Sequence, residues 1–521
     1  MKYFLIFLVC FLSLSSFSQD YELKDLGEFK AKGPTADFLG ISYDEDVIYT
    51  TSNKGVNIKG GYYKLLKVID LNTGELLSEE KLSKSPKLKK KKCYYAGFTF
   101  LNNKPTLLCS NTDSKNKEAE ISGYEVDKNL NFVSSKPTII TKYNRCSEMW
   151  NNMPVGGMEK TSVFKLDNGE VLLATNYTCQ KKSNDDQKVF INRLSSKNEV
   201  VENFEIKLDL PFIKNLDIIE LDNQIFLSVF TIKDHNTKKT PRSHLFKVNS
   251  SGEIDKIEID FNISSSELGP FRFAKADDKI VFSGQLLNLE NEALEGVFSA
   301  LFNPKSKTIE NFEQKIFKED FLRRYMSKRE VKKDKRKGTK RTSQFMNEFL
   351  PKYFFNTPDG GAISIHQKHR MNPVQNMTLL FSYDEILVVK TNVNGSIEWV
   401  EYLPTNFSNP DYDLFKGFAI MQLGSYIYIA HKASDEMVQM INQSSHGVIK
   451  SKDLDKVAIT KIKQNGKINS KTVLNLDDHN VNYSPDEIAT DYKNKKFIFT
   501  MSSSRAFTPN KTKVFELLIQ Q

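Results

Sequence analysis

One short pattern recurs along this chain and restricts its fold more than any other feature. Two alternating stretches flank a polar turn in FLGISYDEDVIYTTS, YAGFTFLNNKPTLLC, TSVFKLDNGEVLLAT, LDIIELDNQIFLSVF, FRFAKADDKIVFSGQ, YFFNTPDGGAISIHQ, GFAIMQLGSYIYIAH and IATDYKNKKFIFTMS. Alternation around a turn rich in Asp, Asn and Gly reads as a β-hairpin. The turns fall near Asp44, Asn102, Asp167, Asp222, Asp277, Pro358, Gly424 and Lys493, mostly about 55 to 70 residues apart, a period typical of repeat architectures. Between them lies a second kind of hairpin, as in LLKVIDLNTGELLSEEKL, SHLFKVNSSGEIDKIEIDF, ILVVKTNVNGSIEWVEYL and VAITKIKQNGKINSKTVLNL. There Gly74, Gly252, Gly395 and Gly466 stand where a tight turn needs positive φ.

An inner hairpin followed by an outer hairpin makes one four-stranded blade, and repetition around an axis makes an all-β fold, a β-propeller. Seven blades are complete. The eighth ends in a third strand, KVFELLIQQ, whose open edge would be an aggregation hazard. Near the other end, YELKDLGEFKA (residues 21–31) has no hairpin partner of its own and is expected to pair there as the missing outer strand. The expectation is one propeller domain over residues 19–521, with eight blades closed by the N-terminal strand. A seven-bladed ring with one irregular blade is the runner-up.

In the sixth blade TPDGGAISIHQ, followed by EILVVKTNVNGSIEWVEYL, resembles the secreted propeller-like repeats common in Bacteroidota. In those a P-D-G-G turn precedes a strand, and a hairpin with spaced Lys, Gly and Trp follows. DLNTGELL resembles, more loosely, the repeats of outer-membrane assembly propellers and of quinone-cofactor propellers. The resemblance implies a propeller, export, and a scaffold or binding role. Quinone enzymes of that type carry a tryptophan in nearly every blade, whereas this chain has only Trp150 and Trp399. No cofactor is therefore expected.

The chain opens MKYFLIFLVCFLSLSSFSQ, with a basic residue at Lys2, an apolar run to about Leu14, and small residues at Ser16 and Ser18. This is the pattern of an export signal cut after Ser18. No later stretch reaches the eighteen or more apolar residues of a membrane-spanning helix. Cys10 is not expected to carry lipid, because Phe7, Leu8 and Val9 before it are not small. A C-terminus inside a blade strand leaves no appended sorting domain. The expected location is the periplasm or the exterior, without a membrane span.

Net charge over the 521 residues is +9, and residues 315–341 alone hold thirteen basic and four acidic residues. The basic character is therefore local. In four-stranded blades the turns within each hairpin lie on one side of the ring, while links between hairpins and between blades lie on the other. The short turns fall in the first set. The second set holds the irregular segments 82–92, 142–160, 178–187, 231–242, 318–350, 369–384 and 431–455. Long loops on a rigid scaffold are where binding concentrates. Segment 318–350 is expected to be a basic helical insertion between blades five and six: Phe317, Phe321, Leu322 and Tyr325 recur at helical spacing, and Phe345, Met346 and Phe349 form a second stripe before Pro351. Its tip carries Arg323, Arg324, Lys328, Arg329, Lys332, Lys333, Lys335, Arg336 and Lys337, and a second run, Lys89, Lys90, Lys91 and Lys92, crosses between blades one and two on the same side.

Such clusters attract polyanions through their summed field, which salt screens over roughly 10 Å. They are also commonly plain solvated loops. Nucleic acid is not expected, since neither stacking aromatics nor a reading motif accompanies them. The partner classes that remain are a protein, a glycan or an anionic envelope component.

Four cysteines follow the signal, and an even number in an exported chain suggests disulfides. The favoured pairing is Cys146 with Cys179, leaving Cys93 with Cys109, although those two are about three residues out of register. No C-x-x-C spacing points to a metal. His366 and His369 lie three apart on a strand, on opposite faces, so no metal site is expected of them. DLNTGE from Asp70 has its glycine one position early for a calcium loop and lacks the distal Glu, so a turn explains it. Asp185 and Asp186, Asp277 and Asp278, and Asp477 and Asp478 read as solvated turn residues. No nucleophile elbow, phosphate loop, dinucleotide fingerprint or zinc-protease motif is present. The reading is an exported, non-enzymatic propeller that binds through its long-loop face. The alternative is a propeller enzyme acting on a glycan, its site assembled at the central funnel from several blades.

Overall fold

The computed structural model describes residues 21–31, 35–54, 63–81, 94–113, 118–144, 160–166, 168–177, 187–208, 213–231, 243–249, 253–257, 266–288, 294–318, 321, 332, 349–374, 378–404, 407–410, 418–443, 454–479, 488–502 and 510–520. They form eight antiparallel sheets of four strands, seven of them in the order of the chain, and one of those seven gains a fifth strand. The expected eight-bladed propeller is the observed one.

Blade 8 is the exception to sequential order, and it closes the ring. Its strands Ile488–Asp491, Lys496–Ser502 and Asn510–Ile519 are completed by Tyr21–Ala31, which runs antiparallel to the last strand with Tyr21 opposite Ile519 and Ala31 opposite Asn510. Tyr21 packs its ring edge-on to Tyr428 of blade 7, at 6.5 Å between centroids. The outer strand is thus tied to two blades, and the C-terminal edge is paired.

Packing between blades explains why strands such as YIYIA and FIFTM are apolar at consecutive positions. Ile427 and Ile429 of blade 7 face Ile363 and Ile365 of blade 6, whereas the alternating Tyr428 and Ala430 face Phe497 and Phe499 of blade 8. A strand sandwiched on both faces cannot show the half-polar alternation of a surface sheet. A phenylalanine-rich layer joins blades 4 and 5 through Phe226, Phe271, Phe273, Phe282, Phe298 and Phe302, all buried. Each such side chain contributes about 1.5–3 kcal/mol relative to exposure. Gly284 is required in that layer, because a Cβ there would lie 2.4 Å from the Cβ of Phe271.

The outer turns follow the expected chemistry. Gly74, Gly395 and Gly466 take φ of +69°, +78° and +78°, whereas Gly252 lies outside the described residues. Asp70 is a turn residue: its carboxylate accepts the backbone N–H of Asn72 (2.9 Å) and Thr73 (2.8 Å).

Three segments differ from the sequence expectation. Phe349 and Pro351 belong to the innermost strand of blade 6, Phe349–Asn356, rather than to a helical stripe. Proline is tolerated there because this strand is a sheet edge and bulges between Pro351 and Tyr353. Residues 369–384 are not an irregular loop: the middle strands, Ala362–Val374 and Thr378–Thr391, continue as a hairpin arm, and Phe407–Pro410 adds to it as a third strand. Within 431–455 a helix α1, Asp435–Gln443, forms. Ser434 caps it by accepting the Met437 N–H at 3.2 Å, and Met437, Met440 and Ile441 are buried beneath it.

Candidate binding face

The strand ends divide the connections between two rims. One carries the turns inside the inner hairpins, at 43–46, 102–103, 222–223, 277–278, 357–361 and 424–425, and those inside the outer hairpins, at 195–199, 304–307, 392–396 and 463–467. Blade 2 alone has a long outer turn on that rim, 126–138, which Asp127 organises by accepting the N–H of Asn129 and Asn131. The links between hairpins and between blades start and end at strand ends on the opposite rim, including 82–93, 145–159, 178–186, 232–242, 317–348, 434–455 and 476–487. Antiparallel order within each blade forces this division.

Aromatic contacts seat the start of the long insertion on the ring. Phe317 is buried and stacks on Phe321 at 4.7 Å, and Phe321 meets Tyr402 of blade 6 at 5.9 Å. Lys332 is exposed. The other candidate cations, Arg323, Arg324, Lys328, Arg329, Lys333, Lys335, Arg336 and Lys337, lie outside the described residues, as do Lys89, Lys90, Lys91 and Lys92. Helix α1 stands on the same rim, held to the outer strand of blade 7 by Asn442, which donates to the Ser470 carbonyl (2.8 Å) and accepts its N–H (2.6 Å).

Toward the axis, the inner strands bring together polar groups that lie far apart in sequence. Arg272 of blade 5 donates to Asp217 of blade 4 and to the Lys352 carbonyl of blade 6, each at 2.6 Å. Tyr43 of blade 1 donates to Asp491 of blade 8 at 2.7 Å, and burial together with that carboxylate pushes the phenol up to about 12. Farther from the axis, Arg193 on the third strand of blade 3 gathers Glu170 at 3.2 Å and Glu202 at 3.8 Å within its own blade and touches Glu220 of blade 4. These groups clamp one blade to the next. Their carboxylates face cations or hydroxyl donors, an arrangement suited to holding a ring together.

His366 is fully buried between blades 5 and 6. The Gln285 amide donates to the Phe349 carbonyl (2.9 Å) and to His366 Nδ1 (3.0 Å), so the proton on Nε2 points to Ser364 Oγ at 3.2 Å. Burial, with Arg272 nearby, lowers its pKa to about 3. His431, equally enclosed against the Thr460 hydroxyl (2.7 Å) and the Lys432 carbonyl (3.1 Å), is lowered by burial to about 4. His369 continues the same strand beyond a bulge at Gln367. Among the described residues no group of three or more His, Cys, Asp or Glu could hold a metal, and no helix is long and apolar enough to cross a membrane.

Cys109 is fully buried and stands opposite Tyr95, beside a bulge between Tyr95 and Gly97. Cys93, Cys146 and Cys179 lie outside the described residues, as do the signal segment and Asp185 and Asp186. Asp277, Asp278, Asp477 and Asp478 are exposed in turns, with Asp278 paired to Lys305 at 3.1 Å.

No family model matches this chain, and no curated protein matches it. Solved structures do. The polysaccharide lyase Uly1 aligns over 94% of this chain and 91% of its own, at 10% identity and a TM-score of 0.39. The WD40 domain of SCAP from fission yeast aligns over 97% and 99%, at 9% identity and 0.42. The β-propeller domain of the Trilobed protease from Pyrococcus furiosus aligns over 84% and 96%, at 9% identity and 0.34. Values this low carry no argument about activity.

Proposed function

We propose that this protein is an exported, non-enzymatic β-propeller that binds an anionic envelope component, an acidic glycan or an acidic protein through its long-loop face. The observation behind this reading is the division of the connections. Both lysine-rich segments, 82–93 and 317–348, leave and re-enter the ring at one rim, where their fields add instead of cancelling. The export signal at residues 1–18 belongs to the same reading, as does a disulfide at Cys109. The pairing proposed is Cys93 with Cys109 and Cys146 with Cys179, and peptide mapping of the unreduced protein tests it.

Binding is tested with vesicles containing lipid A and with an immobilised acidic polysaccharide. The mature protein is compared with a variant in which residues 322–346 are replaced by a Gly-Ser linker, which keeps Phe317, Phe321 and Phe349 in place. Capture that weakens with salt and is lost in the variant is expected. Equal capture of both proteins returns the insertion to a solvated loop.

A further inference from the structure

The rim opposite the basic loops holds a cavity of about 230 Å³ between blades 6 and 7. Ile363 and Ile427 line it together with Gln422, Ser425 and the exposed Lys463. Trp399, Gln464 and Asp359, which also line it, form a wall fixed by a chain of bonds. The Trp399 indole N–H donates to the Gln464 carbonyl at 2.6 Å, the Gln464 amide donates to Asp359 at 2.9 Å, and the Lys390 ammonium meets the same carboxylate at 3.0 Å. Gly466 backs the indole, since a Cβ there would sit 3.0 Å from Trp399 Cγ. The ring cannot turn without breaking this wall.

The charge pattern narrows the ligand. Lys390 is buried, and its ammonium is taken up by Asp359, Thr357 and the Thr391 carbonyl. Asp359 accepts from Lys390, Thr357, Gln464 and the Gly361 N–H. Burial alone would raise its pKa, but these donors outweigh it and hold the carboxyl far below the usual range. The pair therefore offers no uncompensated charge to an ion. What the cavity presents to a guest is an amide at Gln422, a hydroxyl at Ser425, the exposed Lys463 side chain, part of an indole, and two isoleucines. That set suits a ligand with apolar C–H faces and hydroxyl edges, whose oxygens the amide, the hydroxyl and the ammonium can meet. At about 230 Å³ the cavity is below the roughly 300–1,000 Å³ of drug-sized sites, which limits the guest to about one ring.

We infer that the cleft between blades 6 and 7 is a binding site for a single pyranose, such as the terminal unit of a glycan chain. It stands on the rim away from the proposed polyanion face and does not depend on that reading.

The chain has two tryptophans, so Trp150→Phe leaves Trp399 as the reporter. In that background, emission is titrated with maltotriose and with N-acetylchitotriose to millimolar concentration, at low and high salt. The expected result is a saturable change, indifferent to salt, weakened at least about tenfold by Gln422→Ala and abolished by Ser425→Arg, which fills the cavity from an exposed turn. Circular dichroism verifies that each variant is folded. No saturable change with either sugar, or binding that survives Ser425→Arg, overturns the inference.

Discussion

At the scale of single residues, the polar groups of this ring are interior fasteners whose energetics can be measured. Asp359→Ala leaves the Lys390 ammonium buried without its main counter-charge, and stability should fall by about 3 kcal/mol, read as a shift of the urea midpoint. A loss below about 0.5 kcal/mol would mean that Thr357 and Glu398, whose carboxylate lies 3.7 Å from the ammonium, suffice to hold that charge. His366 and His431 make a prediction about pH. Both are neutral when folded, with pKa values near 3 and 4, and both protonate in the unfolded chain below about 6.5. The unfolded state thus binds more protons, so stability is full above about pH 6.5 and declines as pH falls towards 4. Each histidine adds a slope of up to about 1.4 kcal/mol per pH unit. Asp359, whose pKa is also lowered, adds its loss only as pH drops below about 4. In His431→Gln the slope between pH 6 and 4 should be roughly halved, and an unchanged slope would remove His431 from the account. The partnerships between blades were not legible in the sequence, because Gln285 and His366, or Arg272 and Asp217, stand in different repeats and meet only when neighbouring blades dock.

At the scale of elements, local chemistry was readable where a turn carries its own instructions and unreadable where packing decides. The outer hairpins with Gly395 and Gly466 could be placed from their glycines, since only positive φ closes such turns cheaply. Helix α1 could not. Its segment has a capping Ser434 and acids at Asp435 and Glu436, but the burial of Met437, Met440 and Ile441 against blade 7 is what selects a helix over a loop. Ser434→Ala should therefore cost about 1 kcal/mol, and hydrogen exchange at Met437 to Gln443 should quicken before the blades respond. Equal quickening throughout blade 7 would show that the helix is not a separate opening unit. The arm of blade 6 escaped a sequence reading for a related reason: Phe407–Pro410 pairs with the strand segment ending at Tyr383, an association across the blade that no local pattern announces.

At the scale of the whole molecule, closure by Tyr21–Ala31 makes the ring a single mechanical unit, because every blade then packs on two neighbours. Unfolding of the intact chain should be one transition, coincident by far-ultraviolet and near-ultraviolet circular dichroism. Removing residues 21–31 exposes the edge of Asn510–Ile519 and uncovers the layer between blades 7 and 8. That variant should melt earlier and associate at rising concentration, as size-exclusion chromatography would report, and an unchanged monomer with an unchanged melting temperature would deny the strand its closing role. The repeat by itself determined the all-β class, the count of eight blades and the pairing of the first strand with the last, because hairpin alternation, turn glycines and an unmatched end are local and countable. Only the tertiary structure decided which residues meet between blades, where the cleft beside Trp399 lies, and which carboxylates are held by cations. Those contacts join residues tens to hundreds of positions apart, and their energies arise from burial and geometry that exist only once the ring has closed.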